Sequence, residues 1–417
     1  MFKKLSGLFY GWHMVGASAA VRLLGAGLHS YGFTVFFLPL SQELNLSRTA
    51  TSFAFSLARA EGAIEGPIVG HLLDRYGPRP VMIATVTLMG IGYLLLSQVE
   101  SYWSFVLVYT VLISLTHSGG FMHAPMTLIN TWFIRWRARA MTINSAAYGL
   151  GGVLIAPILS MIVHSWGWRW GAVFAGVSFL VFGIPLCLTI RRSPESMGLL
   201  PDGESQQAFH DRTHAAQSPG EVEITPRQAM RSFAFWALVF GAAVRNASYH
   251  AISTHFIPMM IWKGMSPQQA TFLLSAFAFL GFTSTVLLGW LADSMNKPRM
   301  ISVILFVAGG SILLPIFGSS MAPLLLFTLL FTTVESTYPV AWAMVGDIFG
   351  RKHFAKIRGY MSVFYVWGSV TGPVVAGAIW DRWQTYEPLL WGLVVMFFLA
   401  GIFYSLLEKP WVRPAPQ

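Results

Sequence analysis

The chain has 417 residues, 55% of them apolar and only 11% charged, with a mean hydropathy of +0.59. A soluble domain carries about a quarter charged residues, so this composition excludes an ordinary soluble fold and points to a chain that crosses a bilayer many times. The net charge of +10 raises nucleic acid as a partner, but the placement of the basic residues along the chain argues against it.

A helix crosses the hydrocarbon core in about 20 residues. Twelve apolar stretches meet that need, near 10–38, 50–73, 80–99, 103–132, 139–164, 169–190, 232–260, 268–292, 300–318, 322–348, 356–380 and 387–407. The nine residues before the first stretch hold no small-residue cleavage site, so that stretch reads as a retained span, not a signal peptide.

Span one contains "GASAAVRLLGAG", Gly16 to Gly27. Arg22 lies about a dozen residues in, roughly 18 Å deep at 1.5 Å per residue. A guanidinium that deep cannot easily snorkel to water; it faces a partner or a wet cavity and marks function. Tyr31 follows in the same span. Span two holds Arg59 and Glu61 near mid-depth, and Glu65 one turn on from Glu61. Either glutamate is a candidate counter-ion for Arg22, and Glu61 is a candidate proton carrier; buried ion pairs of Arg22 with Glu61 and of Arg245 with Glu335 are the structural alternative to a substrate role. Glu65, beside Gly66-Pro67, reads as structural. The joint after span two is "GHLLDRYGPR", Gly70 to Arg79.

Span four places His117 near mid-depth, either as a substrate contact or as a packed, hydrogen-bonded side chain. Span five supplies Tyr148 and the glycines Gly149, Gly151 and Gly152, which allow close helix packing. Cys187 is the single cysteine and excludes an intrachain disulfide. Residues 191–231 form the one long polar segment, rich in Gln, Ser, Pro and acidic residues, and read as a flexible linker.

Span seven repeats the tetrapeptide Ala-Ala-Val-Arg in "FGAAVRNAS" and puts Arg245 at matching depth, followed by Tyr249, His250 and His255. The joint after span eight is "GWLADSMNKPR", Gly289 to Arg299. Asp74 and Asp293 lie 219 positions apart, and Arg22 and Arg245 lie 223 apart. Span ten carries Glu335 and Tyr338, and span eleven Tyr365 and Trp367. The expected plan is an all-α membrane protein, twelve transmembrane helices in two pseudo-symmetric six-helix bundles: residues 1–192, a linker 193–230, and residues 231–417. Parallel repeats of this kind predict a binding site near the bilayer midplane where the repeats meet.

The joints on one side hold Lys3, Lys4, Arg75, Arg79, Arg135, Arg137, Arg139, Arg191, Arg192, Lys297, Arg299, Arg351, Lys352, Lys356 and Arg358. Those opposite hold Arg48, Arg169, Lys263 and Arg382. Basic loops stay cytoplasmic. Both termini and the long loop are therefore expected in the cytoplasm, with the chain in the cytoplasmic (inner) membrane. The excess charge is a topology signal with anionic lipid headgroups as partners, not a nucleic-acid surface.

On these residues the chain resembles the major facilitator superfamily. The Gly-x-Leu-x-Asp-Arg-x-Gly-x-Arg signature is met at Gly70, Leu72, Asp74, Arg75, Gly77 and Arg79, with a decayed copy at Gly289, Leu291, Asp293 and Arg299. Within the superfamily it is similar to the monocarboxylate-transporter and oxalate/formate-antiporter group. "NTWFIRWRARAMTINSAAYGLGG" after span four, "PESMGLLPDGE" after span six and "RGYMSVFYVWGSVTGPVVAGAIWDRW" at span eleven carry that likeness. The resemblance implies a rocker-switch transporter whose spans one, four, seven and ten line a cavity. It also implies gating by the signature loops. Asp74 is expected to face the start of span eleven, near Lys356 to Gly359, and Asp293 the start of span five, near Arg139; a carboxylate is stabilised at a helix N-terminus.

The likeness has limits. By resemblance Tyr31 stands near where animal monocarboxylate transporters place a lysine. Relatives carry an arginine in span eight, where Phe272 to Leu291 holds no charge. The oxalate transporter carries a lysine in span eleven, where Met361 to Ile379 holds none. Lactate, formate or oxalate are therefore not carried over by name.

The expected function is secondary active transport of a small organic anion, a monocarboxylate with an apolar or aromatic tail, coupled to protons or to a counter-substrate, by a monomer. Arg22 and Arg245 would bind the carboxylate. Tyr31, His117, Tyr148, Tyr249, Tyr338 and Tyr365 would wall the pocket, and Glu335 or Glu61 would carry the proton. No phosphate-binding glycine loop and no zinc motif occurs, so no metal, cofactor or enzymatic activity is expected. Two alternatives stand beside this reading: a proton-driven exporter of amphipathic drugs or metabolites, and a non-transporting receptor or scaffold.

Overall fold

The structure is a computed structural model, and it describes residues 9–44, 65–205 and 224–408. Among these residues there are helices and turns and no strand. In hydrocarbon only a helix or a closed barrel satisfies its own backbone polar groups, and the sequence supplies no strand-like alternation. Helix occurs in every one of the twelve expected stretches, the second being described from residue 65. Nine helices among the described residues are long and apolar enough to span a bilayer, from Pro78–Leu96 to Glu387–Ser405.

Contacts divide the chain into two compact units, Met1–Glu223 with Phe349–Tyr360, and Ile224–Ile348 with Met361–Gln417. The first holds spans one to six and the second most of spans seven to twelve. The polar segment read as a linker is folded over its first part. Asp202 accepts the backbone N–H groups of Ile134 (3.0 Å), Arg135 (2.8 Å) and Trp136 (3.2 Å), and Glu195 pairs with Arg351 at 2.8 Å. A carboxylate that gathers three backbone donors fixes its own loop, which a polar composition alone does not reveal.

Local chemistry sets the helix ends. Ser101, Thr225 and Ser266 each form a reciprocal capping box, and Ser232 caps the helix Phe233–Thr254 by accepting the Phe235 N–H. The signature glycine Gly77 has φ +86° just before the proline that starts span three, a conformation that costs glycine little.

Two features of the helices position the site. Spans one and four are not uniform: π-helical turns run over Ala26–Tyr31, Val108–Ser114 and Ser118–His123. Span ten is interrupted by a 3-10 turn, Thr332–Ser336. Such turns rotate the face a helix presents and often mark functional positions. Within each unit, small residues also bring two spans to backbone distance. A Cβ on Gly151 would stand 2.9 Å from Ala26 Cβ in span one, and one on Gly368 would stand 2.5 Å from the Ala243 carbonyl oxygen in span seven. Large apolar side chains such as Trp103, Met161, Phe279 and Phe317 remain exposed, as lipid-facing surface requires.

Candidate binding and coupling site

Arg245 projects from the helix Phe233–Thr254 and meets Glu335 on the 3-10 turn of span ten. Its Nη2 donates to Glu335 Oε1 at 2.9 Å, and its Nη1 donates to Asn246 Oδ1 at 2.9 Å. The guanidinium lies over the Tyr338 ring at 5.1 Å and the Tyr249 ring at 5.7 Å. The ring faces add cation–π attraction. Arg245 Nε has no hydrogen-bond partner among the described residues, although it is buried. Buried donors are almost always satisfied, so this cluster holds one unused hydrogen-bond donor.

The cluster is not sealed. Arg245, Asn246 and Thr337 form the polar wall of a cavity of about 30 Å³. Its other walls are apolar and aromatic, among them Gly241, Leu305, Trp342, Tyr365 and Tyr404. The side chains of Arg245 and Glu335 keep 13% and 25% exposure, so both can exchange partners with a ligand or with water.

Arg22, the first-unit counterpart, is differently placed. It is 3% exposed. Nη1 donates to Asn144 Oδ1 at 2.9 Å, Nη2 reaches Met122 Sδ at 3.5 Å, and the guanidinium lies 5.6 Å from the Tyr148 ring centroid. Asn144 in turn donates to Ser18 Oγ at 3.0 Å. Tyr31 packs its ring 5.6 Å from Tyr148 and against Gly152, where a Cβ would come within 2.8 Å.

His117 is held rather than displayed. Its Nε2 is 3.1 Å from Ser30 Oγ, and its ring is 4.5 Å from that of His29 and stacked on Phe121. His29 itself bonds Tyr93, whose hydroxyl donates to the Leu28 carbonyl. Glu61 and Arg59, named from the sequence, lie outside the described residues. Glu65 is buried, with Oε1 3.3 Å from where a Cβ on Gly119 would stand.

The signature loop packs closely on the start of span eleven within the first unit. A Cβ on Gly70 would stand 2.5 Å from the Ala355 carbonyl oxygen, so only glycine fits. Asp74, just past the apolar stretch of span two, interacts with Lys356 and with the backbone N–H groups of Ala355 and Lys356, and lies 3.8 Å from His353. Burial nevertheless pushes its carboxyl up to about 7, against the opposing pull of Lys356 and the two N–H groups. Arg75 is exposed over Tyr76, and Arg79 is half-buried. Arg139 lies over Trp136 at 4.4 Å in the first unit; Asp293 is half-buried in the second.

Sequence reasoning missed Asn144, Met122, Asn246, Trp342 and Tyr404. All are uncharged. Only the Arg-Asn dipeptide at 245–246 carried a cue.

The comparisons bear on this architecture. The family model for the Major Facilitator Superfamily matches residues 21–334 and 256–417. Monocarboxylate transporter 11 of Homo sapiens is 23% identical over 397 residues, covering 89% of this chain and 78% of its own length. The oxalate:formate antiporter of Oxalobacter formigenes is 24% identical over 361 residues, covering 84% and 80%. The solved structure of the proton:xylose symporter XylE bound to 6-bromo-6-deoxy-D-glucose superposes with a TM-score of 0.71 over 96% of both chains, at 16% identity. At that identity the structural likeness speaks for the fold alone.

Proposed function

The chain belongs to the major facilitator superfamily, and on that premise we propose that this multi-pass membrane transporter moves a small organic monocarboxylate by alternating access, coupled to a proton. Members of the superfamily are transporters rather than enzymes, so the open question is the cargo.

One observation carries the reading: the Arg245–Glu335 ion pair at the wall of an apolar cavity, with Arg245 Nε unused. Arginine stays protonated in proteins, so the Arg245 guanidinium, paired here with a carboxylate, calls for an anion. With Glu335 ionised, Glu335 fills that need. With Glu335 protonated, the guanidinium needs another carboxylate, and the substrate supplies it through the bidentate geometry that arginine favours. Proton and substrate thus load together, and neither travels without the other. The carboxylate-transporting relatives, named for monocarboxylate and for oxalate and formate, support the chemical class.

Arg22 is the second candidate contact, with Tyr148 and Tyr31 beside it. The roles of His117, Tyr249, Tyr338 and Tyr365 as pocket walls belong to the same proposal, as does gating by Gly70, Asp74, Arg75, Gly77, Arg79, Asp293 and Arg139. The basic joints support an orientation with both termini cytoplasmic, and the inner membrane belongs to the same proposal.

The test is uptake of a radiolabelled short monocarboxylate into proteoliposomes under an inward proton gradient. Glu335→Gln should abolish gradient-driven accumulation and keep exchange of internal for external substrate. Accumulation by Glu335→Gln at the wild-type level would overturn the coupling role.

A further inference from the structure

The cavity beside Arg245 reaches beyond the helices that carry the charged residues. Its lining includes Ile301 and Leu305 from span nine and Tyr404 from span twelve. Tyr404 is 2% exposed, and its hydroxyl lies within electrostatic reach of the Arg245 guanidinium. The ring gets there because position 241 has no side chain. A Cβ on Gly241 would stand 2.8 Å from Tyr404 Cζ and Oη, and closer still to Cε2. Gly241 and Tyr404 are thus fitted to each other, and both line the cavity.

We propose that Tyr404, seated on Gly241, is the end wall of the substrate-tail recess and limits the transported acid to a short chain. This rests on the reading that Arg245 holds the substrate carboxylate. The cavity is about 30 Å³. One water needs about 10–15 Å³ on this measure, so the space takes a tail of about two or three carbon atoms. Propionate and butyrate fit; hexanoate and benzoate meet the Tyr404 ring. Beyond Arg245, Asn246, Thr337, the Trp342 indole N–H and tyrosine hydroxyls the recess is apolar, so it suits a hydroxyl-free tail and holds no second cation for a second carboxylate.

Apolar burial gains about fourfold in affinity per methylene until the wall is met, where an added methylene must displace packed atoms and loses that gain. The experiment is a thermal-shift series on purified protein with acetate, propionate, butyrate, valerate and hexanoate. Wild type should tighten about fourfold per carbon to butyrate and then weaken. Tyr404→Ala should keep tightening through hexanoate. Tyr404→Leu, closer in bulk and safer for folding, should move the optimum by about one or two carbons. Tyr404→Phe, which keeps the wall, should leave the wild-type profile. Each variant's own unfolding transition reports that it is folded.

An identical chain-length profile in wild type and in folded Tyr404→Ala or Tyr404→Leu would overturn the end wall and leave the carboxylate reading standing. Stabilisation by no acid of any length would overturn both.

Discussion

The two arginines that share the tetrapeptide Ala-Ala-Val-Arg have opposite surroundings. Arg22 is packed away, with Asn144, Met122 and Tyr148 as its contacts and a second layer in Ser18. Arg245 pairs with a carboxylate at 2.9 Å and borders a cavity. A repeated sequence places two cations at equal depth, but what each can do depends on the residues that other helices bring to it. A neutral amide holds a cation without ever changing charge, whereas a glutamate can release one by taking a proton. The carboxylate beside Arg245 therefore gives the second unit the chemistry of a switch.

The largest expected effect separates the two directly. Arg245→Ala should weaken acid binding about 100-fold, the loss of two charge-assisted hydrogen bonds, whereas Arg22→Gln should cost about tenfold or less. Equal losses, measured as dissociation constants by calorimetry, would break the asymmetry.

Packing gives the next pair of tests. Gly241→Ala forces a methyl into the Tyr404 ring and should destabilise by about 1–3 kcal/mol, the usual cost of overpacking. Asn144→Leu leaves the Arg22 guanidinium without its amide acceptor and should cost on the order of 1–3 kcal/mol. In the second case acid affinity should fall by less than in Arg245→Ala, since the Arg245–Glu335 pair is untouched. Both are read from melting temperatures with and without acid. A loss of affinity in Asn144→Leu as large as in Arg245→Ala would make Arg22 the primary carboxylate contact.

The smallest effect is in the signature loop. The Asp74 carboxyl is raised to about 7 in the folded protein from an ordinary value near 3.8. The folded state therefore holds this proton more tightly than the unfolded state, and the linked stability is full below about 4 and lost as pH rises through about 7. Asp74→Asn should remove that slope: wild-type melting temperature should fall relative to the variant between pH 4 and 7. His353 and Lys356 face the same carboxyl. A wild-type-minus-variant difference that rises with pH would show Asp74 to be favoured as a carboxylate.

Much of this was legible beforehand, for a physical reason. In an apolar chain each charge is costly, so each is conspicuous. Arg245 and Glu335 were both singled out from depth alone, and they meet at 2.9 Å. Glycines such as Gly151 and Gly152 announced close packing that the structure shows. Uncharged partners left no such trace. Asn144 reaches Arg22 across 122 positions, and Tyr404 lies on a helix of nearly unbroken apolar residues. Helical phase could not supply them either, because phase gives the residues that share a face of one helix and not the helix that face meets. Asp202 was hidden differently. A polar segment reads as linker, and only the three N–H groups it gathers identify it as an anchor.

The most direct test of the central claim is a thermal-shift comparison of propionate with propionamide on purified wild-type protein and on Arg245→Gln. If Arg245 holds a substrate carboxylate, the acid raises the melting temperature by mass action, the amide does not, and the variant loses the response. Equal stabilisation by acid and amide, or an acid response that persists in Arg245→Gln, would return Arg245 and Glu335 to the role of a structural ion pair.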